Sequence, residues 1–207
     1  MFTGLIQCLG EVRSNTDYNQ AKRLVLTLPE LDEGNFQTGE SIAVNGVCLT
    51  LLPDHGQQYS FDISAETLAS STLGALSEGD KVNIERAMLP STRFGGHYVS
   101  GHIDAMATLT SIKPIGECLE LTVEEFNIPA RAFLLPKGSI ALNGVSLTIN
   151  KVENERISLM LVPHTVAHTT FPYMSAGQRL NIEFDYLTRV MAHQLSSLLQ
   201  LKREVNE

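Results

Sequence analysis

A ten-residue stretch that occurs twice constrains this chain more than any other feature. Residues 41–50 read SIAVNGVCLT and residues 139–148 read SIALNGVSLT, an offset of 98 residues. Eight of the ten positions are identical, and the chemically distinct mismatch pairs Cys48 with Ser146. Because internal repetition at a fixed period marks a duplicated structural unit, the chain is predicted to be one module built twice.

Length and composition limit the class of protein. The 207 residues allow one or two domains, and each copy is long enough to bury a core. Charged residues make up 18% of the chain, below the typical ~25%, which suggests that another chain covers part of the surface. The net charge of −8 argues against a nucleic-acid binder and gives no reason to expect attraction to anionic membranes.

Cysteine usage and the N-terminus predict a cytoplasmic protein. The three cysteines, Cys8, Cys48 and Cys118, are an odd number without C-x-x-C spacing, so disulfides are not expected. The start MFTGLIQ lacks the basic and apolar regions of a signal peptide. No apolar run reaches the ~18 residues that a membrane span requires.

Short alternating segments indicate an all-β chain. Asn45-Gly46 and Asn143-Gly144 each stand between apolar runs, which is the strongest short signal for a hairpin. Brief helical turns are expected from Ser64 to Leu73 and from Pro163. Many short strands favour a small barrel over a parallel sheet. The predicted strands and hairpins are 2–13, 23–28, 41–52, 59–63 and 81–85 in the first copy, and 99–103, 119–123, 140–149, 157–162 and 179–183 in the second.

The C-terminal segment differs in kind. Residues 186 to about 202 carry apolar side chains at helical spacing and have no match in the first copy. The apolar stripe of this helix packs either on its own chain or at a subunit interface, and the interface is the favoured interpretation. The stripe consists of Leu187, Val190, Met191, Leu195, Leu198 and Leu199.

The two copies differ mainly at chemically reactive residue types. In addition to Cys48 and Ser146, the mismatched pairs are Leu5/His102, Gln7/Asp104, Glu66/His164 and Ala87/Asp185, whereas Gly4/Gly101, Thr50/Thr148 and Thr67/Thr165 are shared. This pattern is expected if both copies bind one small molecule but perform different chemistry on it.

Each reactive residue also has an ordinary structural interpretation. Cys48 sits in an apolar strand, where a cysteine is more often an inert small hydrophobe. Asp185 precedes the last helix and is a natural N-cap. His97 and His102 stand in the glycine-rich junction GGHYVSGH, where histidines are mostly solvated but can also serve acid–base chemistry near neutral pH.

Several well-known site motifs are missing. His164 and His168 stand four residues apart, but the glutamate of H-E-x-x-H is absent, so a metal site is not expected. The sequence contains no G-x-x-x-x-G-K-[ST], no G-x-G-x-x-G and no G-x-S-x-G. Nucleotide-driven, nicotinamide and nucleophile-elbow chemistry are therefore disfavoured.

Over residues 1–190 the chain resembles the riboflavin synthase family. The resemblance is carried by the start MFTG, the doubled SIA(V/L)NGV(C/S)LT hairpin, VNIER at 82–86, RFGGHYVSGH at 93–102, PHT at 163–165 and NIEFD at 181–185. Val47 departs from the pattern, because a cysteine is often found at this position in the family.

The resemblance implies the fold and the reaction. It implies two tandem six-stranded antiparallel barrels with Greek-key topology, at 1–97 and 98–185, and a helix at 186–207 through which three subunits associate. It also implies that two molecules of 6,7-dimethyl-8-ribityllumazine dismutate by four-carbon transfer into riboflavin and 5-amino-6-ribitylaminouracil, without metal or cofactor. The pocket is expected between the first barrel of one subunit and the second barrel of a neighbour. Association with lumazine synthase stays open.

The resemblance also assigns site residues. The predicted catalytic positions are Cys48, His97, His102, Ser146 and Asp185. The predicted substrate-binding positions are Gly4, Leu5, Ile6, Ser41, Cys48, Leu49, Thr50, Asp62, Ile63, Ser64, Ala65, Glu66, Thr67, Gly101, His102, Ile103, Lys137, Ser146, Leu147, Thr148, Met160, Leu161, Val162, Pro163, His164 and Thr165.

Two rival functions share this type of fold. Lumazine and fluorescent proteins bind a lumazine or flavin as a chromophore without turning it over, and they tend to lose the histidines, the Cys/Ser pair and the aspartate. A flavin domain of a reductase would be followed by a nicotinamide domain, for which the sequence leaves no room.

Overall fold

The strands form two sheets with the same internal order. The computed structural model describes residues 1–29, 36–53 and 58–204. The first copy contains β1 (Cys8–Tyr18), β2 (Ala21–Thr27), β3 (Ser41–Val44), β4 (Val47–Thr50), β5 (Tyr59–Ile63), α1 (Ala65–Ser70) and β6 (Lys81–Arg86). The second contains β7 (Ala105–Ile115), β8 (Cys118–Glu124), β9 (Ser139–Leu142), β10 (Val145–Glu153), β11 (Arg156–Leu161), α2 (Pro163–His168) and β12 (Arg179–Phe184), followed by α3 (Tyr186–Glu204).

Strand pairing confirms the predicted duplicated Greek-key architecture. The first sheet has the order β4-β3-β6-β1-β2-β5, and the second closes into a barrel with the corresponding order β10-β11-β8-β7-β12-β9. All the pairings of these strands are antiparallel. The first sheet is less fully closed, because β4 and β5 are joined through a single bridge between Leu51 and Phe61.

The Asn-Gly turns form as predicted. Asn45 and Gly46 have φ values of 45° and 80°, and Asn143 and Gly144 have values of 46° and 80°. Two successive positive φ values define the type I′ turn, whose twist matches that of the flanking strands. The two turns also touch each other, since a Cβ atom on Gly46 would lie 2.6 Å from the Gly144 nitrogen.

Four buried asparagines join the two barrels reciprocally. The Asn83 side-chain amide donates to the Asn143 carbonyl, and the Asn181 side-chain amide donates to the Asn45 carbonyl, both at 2.9 Å. Within each barrel, Asn45 accepts from the Asn83 N–H and Asn143 accepts from the Asn181 N–H, both at 2.8 Å. Because buried polar groups are costly unless they are paired, this network fixes one relative orientation of the barrels.

The predictions of strands at 2–7 and at 99–103 are wrong, and the corresponding strand of the second copy, β7, begins at Ala105. Strand β1 begins at Cys8, and before it only Phe2 makes a strand-like bridge, to Val99 in the junction between the copies. This segment leaves its own barrel, since Ile6 packs on the core of the second barrel and Ile103 packs on the core of the first. The physical reason lies in the tertiary structure. The segment after Phe2 and the segment after Val99 pair with each other, and each of them then packs on the barrel of the other copy. The predicted domain boundaries at 97 and 185 stay predictions.

The C-terminal segment is helical from Tyr186 to Glu204, as the spacing predicted, and residues 205–207 lie outside the described residues. Its stripe is exposed in the single chain, with Leu187, Met191 and Leu195 at 70%, 69% and 60% exposure. Within the described part of the chain, no helix has an apolar stretch sufficient to cross a membrane.

Candidate active site

The first candidate half-site lies where β4 meets the junction segment. Side chains alternate along β4, so that Val47 and Leu49 are buried while Cys48 is half-buried on the other face. The Cys48 N–H donates to the Gly101 carbonyl at 2.8 Å. A cleft of about 230 Å³ opens there, and we call its lining the Cys48 half-site: Val47, Cys48, Glu66, Thr67, Ser70, Gly101, His102 and Ile103.

A buried carboxylate holds the junction segment against Cys48. Glu183 on β12 accepts hydrogen bonds from the Ser100 N–H and hydroxyl, each at 2.6 Å, and from the Gly101 N–H at 2.9 Å. Burial raises the pKa of Glu183, whereas these donors lower it. Gly101 has a φ of +84°, and a Cβ atom there would lie 2.5 Å from the Cys48 Cβ. A glycine is therefore required for this approach.

The second half-site repeats the same backbone and glutamate hydrogen bonds around different side chains. The Ser146 N–H donates to the Gly4 carbonyl at 2.8 Å, which corresponds to the bond between Cys48 and Gly101. Glu85 on β6 accepts from the Thr3 N–H, the Thr3 hydroxyl and the Gly4 N–H at 2.7, 2.8 and 2.9 Å. Burial raises the pKa of Glu85, and the Thr3 and Gly4 donors lower it.

Sequence reasoning did not assign the two glutamates to the site. Glu85 and Glu183 occupy the same position in the matching segments KVNIE and RLNIE, 98 residues apart. A carboxylate that recurs inside an otherwise buried strand is a signal of a buried partner, since buried charges are rarely retained without one.

His97 is the buried histidine of the second half-site. Only 6% of its surface is exposed, so the expectation that junction histidines are solvated is wrong for His97 and holds for the exposed His102. Its Nδ1 lies 2.7 Å from the Ser146 Oγ. Its Nε2 is buried without a hydrogen-bond partner among the described residues. Burial lowers the pKa of His97, and the nearby charge of Asp185 raises it. The imidazole is therefore neutral at pH 7.

Asp185 adopts the N-cap position that its place before the last helix predicted, and its catalytic role stays a prediction. Its Oδ1 accepts hydrogen bonds from the Leu187 and Thr188 N–H groups at 2.9 and 3.2 Å, so it caps helix α3. It also acts electrostatically on His97. We call His97, Ser146, Asp185 and Gly4 the Ser146 half-site.

The structure brings the predicted catalytic residues together in two groups. Cys48 and His102 line one cleft, and that cleft does not include Ser146, His97 or Asp185. Cys48 and Ser146 lie on the equivalent hairpins of the two barrels.

The remaining predicted binding residues differ in what they can offer to a ligand. The side chains of Leu49, Ile63, Leu147 and Leu161 are buried in the barrel cores, so only their backbone groups are available. The side chains of a larger set are half-exposed or exposed, and none of them lines the cleft at Cys48: Leu5, Ile6, Ser41, Thr50, Ser64, Ala65, Thr148, Met160, Val162, Pro163, Thr165 and Lys137. Lys137 has a φ of +67°, at the position where the first copy has Gly39.

Two of these predicted binding residues already have partners. The Asp62 carboxylate pairs with Arg23, with 2.8 Å between Oδ1 and Nε. The His164 ring stacks on His168 at a centroid distance of 4.1 Å, and the His168 Nδ1 lies 2.8 Å from the His164 carbonyl oxygen. These contacts account for the spacing of the two histidines on α2.

The depressed pKa of His97 predicts a loss of stability in acid. The unfolded chain takes up a proton at this residue as the pH falls through about 6.5, whereas the folded chain resists it. The free energy of unfolding should therefore decrease below that pH, and His97→Gln should show a smaller decrease. Urea unfolding at about pH 7.5 and about pH 5.5 measures this difference. An equal decrease in both proteins would contradict the assignment, because the contributions of Glu85 and Glu183 cancel in the comparison.

Comparisons with known proteins agree with this architecture. The lumazine binding domain model matches the chain twice, at residues 3–87 and 100–185. Riboflavin synthase from Photobacterium phosphoreum is 38% identical over 191 residues, covering 91% of this chain and 86% of the relative. Riboflavin synthase from Bacillus subtilis is 37% identical over 191 residues, covering 92% and 88%.

A solved structure shows the same fold. LumP complexed with 6,7-dimethyl-8-(1'-D-ribityl) lumazine superposes with a TM-score of 0.77 at 25% identity, covering 89% of this chain and 99% of LumP. The duplicated lumazine binding domain is thus the class to which the fold and the half-sites conform. Within that class, the chain belongs to the riboflavin synthase family.

Proposed function

We propose that this protein is a riboflavin synthase, which converts two molecules of 6,7-dimethyl-8-ribityllumazine into riboflavin and 5-amino-6-ribitylaminouracil. One observation carries the proposal: the two half-sites share one backbone frame but present different reactive side chains. Gly4 and Gly101 bond equivalent strand positions, which hold Ser146 in one copy and Cys48 in the other. The shared backbone geometry lets both half-sites bind the same molecule. The different side chains then act on the two bound molecules in different ways.

The reaction requires that the two substrate molecules undergo different chemical steps. One substrate molecule donates a four-carbon unit and the other accepts it, and the atoms of the two substrates account for both products without an external oxidant. The 7-methyl group of the lumazine is acidic because its anion delocalises into the ring, so the enzyme must assist removal of a proton. Holding two such rings in contact supplies a further advantage, up to ~7–11 kcal/mol in well-oriented reactions.

The Ser146 half-site is suited to moving that proton. His97 is neutral because burial lowers its pKa, and its Nδ1 is within hydrogen-bond distance of the Ser146 hydroxyl. A proton received through this hydroxyl forms an imidazolium, which the charge of Asp185 stabilises. In the Cys48 half-site, Cys48 contacts the edge of the partner ring and His102 supplies a second acid–base group.

Assembly brings the two half-sites together. The first barrel of one subunit faces the second barrel of a neighbour in a homotrimer, and the exposed stripe of α3 supplies the contact between subunits. Leu187, Met191 and Leu195 support this assignment, because large apolar side chains repeating along one helix face mark an interface. The proposed compartment is the cytoplasm, since all three cysteines are unpaired.

The direct test is incubation of the purified protein with 6,7-dimethyl-8-ribityllumazine, followed by the absorbance and fluorescence of riboflavin. A non-catalytic chromophore-binding protein is the second candidate, because LumP has the same fold. Formation of riboflavin supports the synthase. Tight binding of the lumazine without riboflavin formation identifies the binder.

Substitutions in both half-sites should reduce turnover more than binding. We expect Cys48→Ser, His102→Gln and Asp185→Ala each to lower kcat by about 10²–10³, because Cys48 and His102 act on the reacting ring and Asp185 stabilises the charged form of His97. Steady-state kinetics and lumazine titration separate the two effects. Cys118→Ser is the matched control, since Cys118 is also a half-buried thiol but lies on β8. Full activity in all three site variants would refute the assignment.

A further inference from the structure

Asp104 contacts the chain on both sides of Asp185. Its Oδ2 accepts a hydrogen bond from the Phe184 N–H at 2.9 Å, and its Oδ1 lies 3.2 Å from the Arg189 Nε. Phe184 immediately precedes Asp185, and Arg189 stands one turn into α3, where its N–H donates to the Asp185 carbonyl at 3.0 Å. Asp104 therefore ties together the strand end and the helix start between which Asp185 is placed.

The first copy makes the same backbone bond without the charge. Gln7 stands at the position of Asp104, and its side-chain oxygen accepts from the Arg86 N–H at 2.7 Å. The next residue is Ala87, at the position of Asp185. A neutral amide is thus sufficient to hold the strand end. The carboxylate occurs in the copy that also has an aspartate to position and a helix bearing an arginine.

The ion pair is partly shielded from solvent. The side chains of Arg189 and Asp104 are 32% and 14% exposed, so salt screens the pair less than it would a pair at the surface. Burial raises the pKa of Asp104, while the Phe184 N–H, Arg189 and the charge of His102 lower it. The contact between Asp104 and Arg189 thus attaches the first turns of α3 to the second barrel.

We propose that Asp104 and Arg189 are positioning residues that hold Asp185 at the start of α3, from where its charge acts on His97. The position in which α3 packs on the second barrel then determines how strongly the charge of Asp185 acts on the Ser146 half-site. The effect on turnover rests on the proposed function, whereas the effect on His97 can be measured without turnover.

The surroundings of His97 make it a local probe of Asp185. The neutral Ser146 hydroxyl on β10 contacts the His97 ring, and the Asp185 carboxylate before α3 acts on the ring through its charge. The Thr3 carbonyl on the N-terminal segment accepts from the His97 backbone N–H. Glu85 on β6 lies behind Thr3 and is bonded to its N–H and hydroxyl. Glu85 is unchanged in every variant below, so a change in the titration of His97 reports on Asp185.

The test is an NMR titration of His97 in protein with labelled histidine rings, with the signal assigned by His97→Gln. In Asp104→Asn the amide oxygen still accepts from Phe184, but the charge that pairs with Arg189 is lost. We expect the His97 midpoint to move to lower pH in Asp104→Asn and in Arg189→Gln, the same direction as in Asp185→Asn. The double variant Asp104→Asn, Asp185→Asn should have the same His97 midpoint as Asp185→Asn alone. For turnover, we expect kcat to fall about 10-fold or more, with KM within about twofold.

The control is Arg156→Gln, which removes an exposed ion pair of 2.9 Å with Glu124 on the same barrel. It should leave the His97 titration unchanged. The inference is overturned if Asp104→Asn does not move the midpoint while Asp185→Asn does, or if the two shifts add in the double variant. Absence of riboflavin formation in the wild-type protein would contradict the proposed function and leave the titration interpretable.

Discussion

The double variant Met191→Lys, Leu195→Lys is expected to be a monomer that forms no measurable riboflavin. These two side chains are 69% and 60% exposed in the single chain, and burial of each contributes about 1.5–3 kcal/mol to an interface. Lysines there would place like charges opposite each other in the assembly, whereas the isolated fold loses little because the residues face outward. Because the Cys48 and Ser146 half-sites meet only across subunits in our proposal, turnover should fall by more than about 10³. Sizing chromatography with light scattering and the riboflavin assay measure both effects.

Gln200→Lys is the matched control for the helix variant. Gln200 is exposed on the same helix, on the side away from Met191 and Leu195. It should leave the elution and the activity unchanged. A monomeric double variant with full activity would show that the two half-sites do not need a second copy. An unchanged elution of the double variant would refute the role of α3 in assembly.

Gly101→Ala is expected to destabilise the fold and abolish turnover together. A non-glycine residue at a φ of +84° costs about 1–2 kcal/mol. The added Cβ would lie 2.5 Å from the Cys48 Cβ and 3.0 Å from the Cys48 nitrogen, and such overpacking costs about 1–3 kcal/mol more. We therefore expect a loss of about 2–5 kcal/mol in the free energy of unfolding. The displaced junction would also separate His102 from Cys48.

The control separates backbone strain from close approach. Gly79 has a φ of +88°, and a Cβ atom there would meet nothing within 4 Å. Gly79→Ala should therefore lose only the strain, about 1–2 kcal/mol, and keep its activity. Urea unfolding of both variants gives the comparison. Equal losses would show that the contact with Cys48 adds nothing.

The local structure could be predicted from the sequence because its determinants are local. The two Asn-Gly turns adopt the type I′ geometry that their residues favour, and Ser64 caps α1 by accepting from the Thr67 N–H. The spacing of apolar residues likewise placed the C-terminal helix.

Long-range features could not be predicted in the same way. The segment that starts at Phe2 has the composition of a strand. Phe2 nevertheless pairs with Val99, and Ile6 of the same segment packs on the core of the other barrel. No period in the sequence specifies which of two similar cores an apolar side chain enters. The burial of His97 has the same origin, because it follows from the meeting of the two exchanged segments.

The alignment of the two copies carried more functional information than any single motif. It identified Cys48 and Ser146 as equivalent positions with different side chains, and the structure gives both the same backbone bond. It did not show that His97 rather than His102 contacts Ser146, because His97 has no counterpart in the first copy. Residues outside the repeat need a structure to be assigned to a half-site.

Complementation between two inactive chains tests the central claim most directly. One chain carries Cys48→Ser and His102→Gln, and the other carries Ser146→Ala and Asp185→Ala. Each alone should be inactive, but random co-assembly into trimers should recover about a quarter of the wild-type rate, since each mixed trimer contains one intact pairing of unlike half-sites. A mixed assembly with no activity above the sum of its parts would contradict a site built from two copies of the chain.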